Sequence, residues 1–198
     1  MARTPSRDVA DVLLNAADEI LRAEGPAALT VRRVATAARV APMGVYNRFE
    51  GKQGLLEALF IRGFTMLRTE IAEAEGPDAL HRLISAADRY REFALGHAEH
   101  YRLMFEHMAE VQPGPDALEV AYAAFDQLVG LIADARSQGG FGLGDDVDVA
   151  QQWWNALHGA VSLELLGVSF VADPTASYRQ MVESLAAGMR RVADPPPA

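Results

Sequence analysis

Cysteine is absent from this chain of 198 residues, and its absence excludes several kinds of site. Without a thiol there is no disulfide framework, no thiolate zinc site, no iron–sulfur cluster and no cysteine nucleophile. Lack of cysteine is typical of proteins from a reducing compartment, so a cytoplasmic location is expected.

Long hydrophobic runs are also missing. Residues 1–8 (MARTPSRD) contain arginine but lack the apolar stretch that a secretory signal places behind its basic residues. The most apolar window, 156–172, is interrupted by His158, Ser162 and Glu164, and it falls short of the ~20 apolar residues that cross a bilayer. We therefore expect neither export by a signal peptide nor a membrane span.

Positive charge is scarce, and it is unevenly distributed. The chain has 18 Lys and Arg against 27 Asp and Glu, for a net charge of −9. Residues 1–54 carry eight of the basic residues against six acids, a net charge of +2, which leaves −11 for the other 144 residues. An acidic body repels a polyanion, so any contact with DNA is expected within the N-terminal quarter.

Half of the residues are apolar and 23% are charged, the proportions of a globular protein. Apolar residues recur three and four positions apart, and no stretch alternates long enough for a strand, so the pattern predicts an all-α fold. The glycine-rich segment 139–144 is predicted to be a flexible loop, because each glycine inside a helix costs about 1 kcal/mol relative to alanine. The predicted helices lie at about 7–24, 31–39, 42–49, 52–75, 78–96, 99–109, 115–137, 146–167 and 175–192.

The second and third predicted helices are short, flank residues 39–41, and follow a longer helix that can brace them. This spacing is typical of a helix-turn-helix. Three small core helices are the structural alternative, but they would not need an exposed face that carries Tyr46, Asn47 and Arg48, which can contact phosphates and bases.

The segments LTVRRVA at 29–35 and VYNRFEGKQGLL at 45–56 resemble the DNA-binding domain of tetracycline-repressor-type (TetR-type) regulators, over about residues 7–60. The resemblance implies a DNA-binding domain at 7–54, with its helix-turn-helix at about 30–49. A long helix would join it to a ligand-sensing and dimerisation domain at 55–193, followed by a disordered tail at 194–198. It also implies a homodimer on a pseudo-palindromic double-stranded DNA operator.

The resemblance also implies roles for individual side chains. Thr30, Tyr46 and Lys52 match positions that contact phosphates, which a helix N-terminus and an ammonium group both attract. Val45 and Phe49 are expected to stay buried. Base reading is expected from the remaining positions around the third helix, which are Pro42, Met43, Gly44, Asn47 and Arg48.

Three positions depart from the family pattern. Arg39 stands where the turn usually has glycine, so the backbone there must avoid positive φ or adopt it at a cost. Ala41 replaces a serine cap, and Gly44 replaces a hydroxyl that commonly reaches phosphate. DNA affinity is then expected to depend more on Arg39 and Arg48, although Arg39 can also be read as a solvated turn residue.

In the C-terminal region, the segment WWNALHG at 153–159 resembles the Trp…His-Gly signature of one subgroup of this family. The family implies that the last two helices form the dimer interface, with intramolecular core as the alternative reading. The interface candidates are Leu157, Val161, Leu165, Val168, Met181, Val182, Leu185 and Met189.

Aromatic and methionine side chains are concentrated between the fourth and the eighth predicted helices, where an apolar cavity would suit a hydrophobic small molecule. Ordinary core packing is the alternative for each residue. His158 is also read as a buried polar residue with a backbone partner. The candidate ligand-binding residues are Phe64, Tyr90, Phe93, Tyr101, Met104, Phe105, Met108, Tyr122, Phe125, Trp153 and His158.

His97, His100 and His107 lack an acid at clear ligand spacing, so no metal site is expected. No cofactor is expected either. An enzyme is not expected, because no nucleophile–base pair or phosphate-binding loop emerges. The sequence thus predicts a DNA-binding regulator, in this family more often a repressor, that a small hydrophobic ligand releases. The alternative is a small-molecule-binding helical protein with a degenerate DNA-binding domain, which a mobility-shift assay would distinguish.

Overall fold

The computed structural model describes residues 6–139 and 144–189, and within them every regular element is helical. This confirms the predicted all-α fold. The ten α-helices are α1 (Ser6–Glu24), α2 (Val31–Ala37), α3 (Pro42–Phe49), α4 (Lys52–Ala72), α5 (Ala79–Gly96), α6 (Ala98–Phe105), α7 (Met108–Val111), α8 (Pro115–Ser137), α9 (Asp146–Leu165) and α10 (Pro174–Gly188).

The structure differs from the predicted elements in four main places, and one of them is the last helix, which ends at Gly188 rather than at about 192. A 3₁₀ helix at Pro26–Ala28 was not predicted. The fourth helix ends at Ala72 rather than reaching Gly76. The predicted helix 99–109 is two helices, because the N–H groups of both Glu106 and His107 turn onto the Arg102 carbonyl, at 2.7 and 3.1 Å, and end the first one.

Two of the predictions fall largely on residues outside the described ranges. They are the flexible loop, of which 140–143 is not described, and the tail at 194–198. In the described part of the chain, no helix is both long enough and apolar enough to cross a membrane.

The chain forms two compact units. The first runs to Met66 and also includes His97–Ala121, whereas the second comprises Leu67–Gly96 and the residues from Tyr122 onward. Residues 97–121 thus pack with the N-terminal helices although they are distant in sequence. The functional division after residue 54 stays a prediction.

In the first unit, α6 contacts α1 through His100 and Asp18. His100 is fully buried, and its Nε2 lies 2.8 Å from Oδ1 of Asp18 on α1. Arg22 and Arg62 reach the same carboxylate, at 3.0 and 3.8 Å. Burial would raise the pKa of Asp18, but its contact with His100 and the positive charges of Arg22 and Arg62 outweigh that effect and hold the pKa below its usual value.

In the second unit, polar contacts attach α5 to both α9 and α10. The buried hydroxyl of Tyr178 on α10 donates to the carbonyl of Ala87 on α5 at 2.8 Å. Arg91 on α5 donates through Nε to Glu164 on α9 at 2.8 Å and through Nη2 to Thr175 at 3.1 Å. The hydrogen bond to Glu164 raises the pKa of Arg91, so its charge is fixed at any physiological pH.

Replacing Tyr178 with phenylalanine tests this attachment. The variant removes one buried hydrogen-bond donor without changing the ring, so we expect Tyr178→Phe to lower the free energy of unfolding by about 1 kcal/mol, measured by urea denaturation. Tyr122→Phe is the control, because Tyr122 is exposed and the same change there removes no buried hydroxyl. Equal midpoints for Tyr178→Phe and the parent protein would contradict the role of this bond.

Candidate nucleic-acid interface

Helix α2 begins at a well-formed N-cap. The Thr30 hydroxyl oxygen accepts the N–H of Arg33 at 3.2 Å, and the Thr30 backbone is extended, with φ −135° and ψ 147°. A hydroxyl that accepts one hydrogen bond can still donate its own proton. The exposed Thr30 therefore combines a helix cap with a donor that can reach a phosphate, the role that the sequence predicts.

The turn between α2 and α3 adopts a left-handed conformation at Arg39. Its φ is +56°, and the turn is closed by a hydrogen bond from the Val40 N–H to the Ala35 carbonyl at 2.9 Å. The sequence left open whether Arg39 avoids or adopts a positive φ, and in the structure it adopts one. This conformation costs a residue with a Cβ about 1–2 kcal/mol. The turn thus keeps its shape without a glycine, and the Arg39 side chain is exposed.

Gly44 has a structural reason that the sequence did not reveal. A Cβ at this position would lie 2.6 Å from Cγ1 of Val40, across the turn. Glycine at position 44 therefore lets α3 approach the turn, and any side chain there, including one with a hydroxyl, would collide with Val40.

Helix α3 separates a buried side from an exposed side. Val45 is fully buried, as predicted, whereas Phe49 is only half-buried, which corrects the expectation that both are inside. On the opposite side, Met43 is 63% exposed and Tyr46 is 52% exposed, and Asn47 is exposed beside them. Positions 43, 46 and 47 share one face of a helix, so these side chains form a continuous exposed stripe.

The other predicted contacts surround this stripe. Pro42 is exposed at the start of α3, and Lys52 is exposed at the start of α4. Gly44 is half-buried, and because it has no side chain it can offer only backbone groups to DNA. Arg48 is half-buried, and its Nη1 donates to the Gly44 carbonyl at 3.4 Å, which lays the side chain back along α3.

Arg32 is a candidate that the sequence analysis missed. Two consecutive arginines lie in the first turn of α2, but the guanidinium of Arg33 is bound to the carboxylate of Glu24, with Nη1 to Oε2 at 3.0 Å. This hydrogen bond raises the pKa of Arg33 and lowers that of Glu24. Arg32 is exposed beside Thr30, so it can face a phosphate where Arg33 is already engaged.

The predicted ligand-binding residues are divided between the two units. In the first, their rings pack closely, with centroids 5.5 Å apart for Phe64 and Phe105 and 4.8 Å apart for Tyr101 and Phe105. The members in the first unit are Phe64, Tyr101, Met104, Phe105 and Met108, and those in the second are Tyr90, Phe93, Tyr122, Phe125, Trp153 and His158.

Three of these residues need correction. Met108 and Tyr122 are exposed, so neither lines an enclosed cavity within its own unit. His158 is half-buried rather than buried, and its Nδ1 lies within hydrogen-bond distance of a side chain, the Tyr90 hydroxyl at 3.2 Å. The same hydroxyl accepts the indole N–H of Trp154 at 3.2 Å, a residue that the sequence analysis did not select.

The predicted dimer residues also separate into two groups. Leu157, Val161 and Val182 are buried within their own chain. A side chain that its own unit already covers cannot present surface to a second copy, so these three are corrected to core residues. The remaining candidates are half-buried or exposed, and they are Leu165, Val168, Met181, Leu185 and Met189.

The three histidines considered as metal ligands have other contacts or neighbours. His100 lies against Asp18, the His97 ring lies 6.2 Å from that of His100 between centroids, and His107 Nδ1 is 3.0 Å from a carboxylate oxygen of Glu110. Over residues 6–139 and 144–189, no three His, Asp or Glu side chains come together as a metal site would require.

Two family models match this chain. Residues 13–59 match "Bacterial regulatory proteins, tetR family", and residues 83–185 match "Tetracyclin repressor-like, C-terminal domain". An uncharacterized HTH-type transcriptional regulator of Mycobacterium tuberculosis is 30% identical over 193 residues, covering 94% of this chain and 84% of that protein.

Solved structures with the same fold include a protein of unknown function from Rhodococcus sp. RHA1. It has a TM-score of 0.84 and 26% identity, and the match covers 92% of this chain and 96% of that chain. The fatty acid degradation regulator FadR from Bacillus halodurans has a TM-score of 0.74 and 19% identity, with coverage of 96% and 100%.

The two arginines of α2 give a matched test of the interface. Arg32→Ala should weaken binding to any duplex and lower the slope of log affinity against log salt by about 1, because one phosphate contact is lost. Arg33→Ala should leave that slope unchanged. The measurement is fluorescence anisotropy with a labelled duplex at several salt concentrations, and equal slopes for both variants would contradict this assignment.

Proposed function

We propose that this chain, which belongs to the TetR family of bacterial transcriptional regulators, is a homodimeric repressor that a small hydrophobic molecule releases from its operator. Regulators of this family bind DNA and form dimers. The proposal places the protein in the cytoplasm, with the chromosome.

The observation that carries the DNA-binding part is the exposed stripe of Met43, Tyr46 and Asn47 opposite the buried Val45. A major groove admits one α-helix, and an asparagine on that helix can bond adenine through both of its polar atoms. Thr30 and Lys52 flank the stripe, and together with Tyr46 they supply groups that suit phosphates, which set the position of a protein on DNA without reading sequence.

Dimerisation would make this contact specific for a palindrome. Two recognition helices related by a two-fold axis reach successive major grooves when they lie about 34–36 Å apart. A ligand that binds better to a conformer with another separation weakens DNA binding by the difference between its affinities for the two conformers, typically about 1–3 kcal/mol.

The proposed dimer surface combines α9, α10 and the connection between them. This connection is apolar and exposed, with Leu166, Val168 and Val171 at the surface and Phe170 at 96% exposure. Gly159 on α9 has open space around its Cα, so it leaves room for a second helix. Water-exposed apolar side chains that lie together favour burial against another chain.

The ligand part is supported by the polar contacts of Tyr90, His158 and Trp154 among apolar side chains of the second unit. The Trp154 ring also lies near that of Phe125, with centroids 6.1 Å apart. Few polar groups among aromatic ones are typical of small-molecule sites. The alternative, a ligand-binding protein whose DNA-binding domain is degenerate, lacks an explanation for the intact exposed stripe on α3.

Substitutions in and beside α3 test the division of roles. Tyr46→Ala and Lys52→Ala should weaken binding to every sequence and reduce the salt dependence, since each removes a phosphate contact. Asn47→Ala should instead relax the preference at particular base pairs while the salt dependence stays unchanged. A mobility-shift series against the DNA upstream of its own gene measures both effects, and equal behaviour of the three variants on all probes would refute the division.

A charge placed on the connection between α9 and α10 tests the dimer. Phe170→Asp should raise the dimer dissociation constant at least about tenfold, because a buried phenylalanine at an interface contributes more than about 1.4 kcal/mol. Sedimentation equilibrium measures this constant. Val147→Asp is the control, since Val147 is also exposed and apolar but lies in the first turn of α9, at the end of that helix opposite to the connection with α10. An unchanged constant for Phe170→Asp would count against this surface.

A further inference from the structure

The turn between α7 and α8 packs in the same compact unit as the DNA-binding helices, although about sixty residues of sequence separate them. This turn comprises residues 111–114. It also lies inside the part of the chain that matches the C-terminal family model, 83–185. Residues that match the C-terminal family model therefore pack directly with the helices of the first unit.

Two hydrogen bonds join this turn to the first turns of α4. The side-chain amide of Gln53 donates to the Val111 carbonyl. The carboxylate of Glu57 accepts the N–H of Gly114, at 2.7 Å. Gln53 and Glu57 are four residues apart and so project from one face of α4, which means that a single face is held at two points.

The start of α4 is in turn fixed to the end of α3. Only Glu50 and Gly51 separate the two helices, both with positive φ, at +58° and +120°. Gly54 lies so close to the end of α3 that a Cβ there would overlap the Phe49 carbonyl oxygen. Because the connection between the two helices is short and tightly packed, a rotation of the first turn of α4 also changes the direction of α3.

The turn itself has a well-defined conformation. Val111 is fully buried, and Gln112 ends α7 in the left-handed region, with φ +44° and its N–H bonded to the Met108 carbonyl at 2.9 Å. A non-glycine residue holds such a conformation only where its surroundings determine it. The turn can therefore act as a rigid support rather than as a passive loop.

We propose that Gln53 and Glu57 are positioning residues, through which the 111–114 turn sets the direction of α3 for reading bases. The inference rests on the proposed function, because it assumes that α3 enters DNA. Neither residue contacts DNA in this account. Their loss loosens the direction of α3 while Thr30, Tyr46 and Lys52 remain able to hold phosphates, so sequence discrimination falls more than general affinity.

The measured quantity is the ratio of two dissociation constants of the full-length protein, for random duplex and for a duplex that the protein selects from a random pool. A lower folded fraction weakens both constants equally and leaves the ratio unchanged. We expect Glu57→Ala to reduce the ratio about fivefold, the effect of one net hydrogen bond. Glu57→Gln keeps an acceptor for the Gly114 N–H and should restore most of the ratio.

Gln53→Ala is a second variant, and it leaves the core undisturbed because Gln53 is exposed. This variant should also lower the ratio of the two dissociation constants. Gln127→Ala is the matched control, since Gln127 likewise donates its amide to a backbone carbonyl, that of Arg68 at 3.2 Å, but in the second unit. Its ratio should equal that of the parent protein.

An unchanged ratio in both Glu57→Ala and Gln53→Ala would overturn the inference while leaving the proposed function intact. A lowered ratio in Gln127→Ala of the same size would overturn it as well, because the effect would then not come from this support. A parent protein that selects no sequence from the pool would overturn the proposed function, and the inference with it.

Discussion

The burial of Val45 is the constraint on which the DNA-binding face depends. An isolated helix of eight residues is not stable in water, so α3 exists because one of its sides is packed into the first unit. With that side inside, helical geometry forces Met43, Tyr46 and Asn47 to the outside. The exposed stripe is therefore a consequence of core packing, and its orientation is as firm as the packing that produces it.

The two ends of α3 are held by left-handed residues that are not glycine, Arg39 before it and Glu50 after it. Each costs about 1–2 kcal/mol, a cost that the surrounding structure must offset. At both ends the left-handed residue reverses the chain over a very short connection, so α3 is fixed against α2 and α4. Strain of this kind is commonly found where a protein must hold a group in one direction.

The sequence was sufficient for much of this arrangement because the signals are local. Pro42 at the first position of α3, the Thr30 cap and the spacing of apolar residues located the short helices correctly. Contacts between distant segments left no such signal. Arg32 and Arg33 are the same residue type at adjacent positions, so the sequence does not distinguish them. The structure does, because Glu24 approaches and binds Arg33. Leu157 and Val182 are interface candidates only because the family resemblance assigns the last two helices to the dimer, and that resemblance does not say which of their side chains the chain itself covers.

The most direct test of the central claim uses the absence of cysteine in the chain. A single thiol introduced as Met43→Cys lies on the exposed stripe, and one introduced as Gln152→Cys lies exposed on α9. The account predicts that saturating operator DNA slows maleimide labelling at position 43 at least about tenfold, the burial expected inside a groove, and leaves labelling at position 152 unchanged. Equal labelling rates at position 43 with and without bound DNA would contradict it.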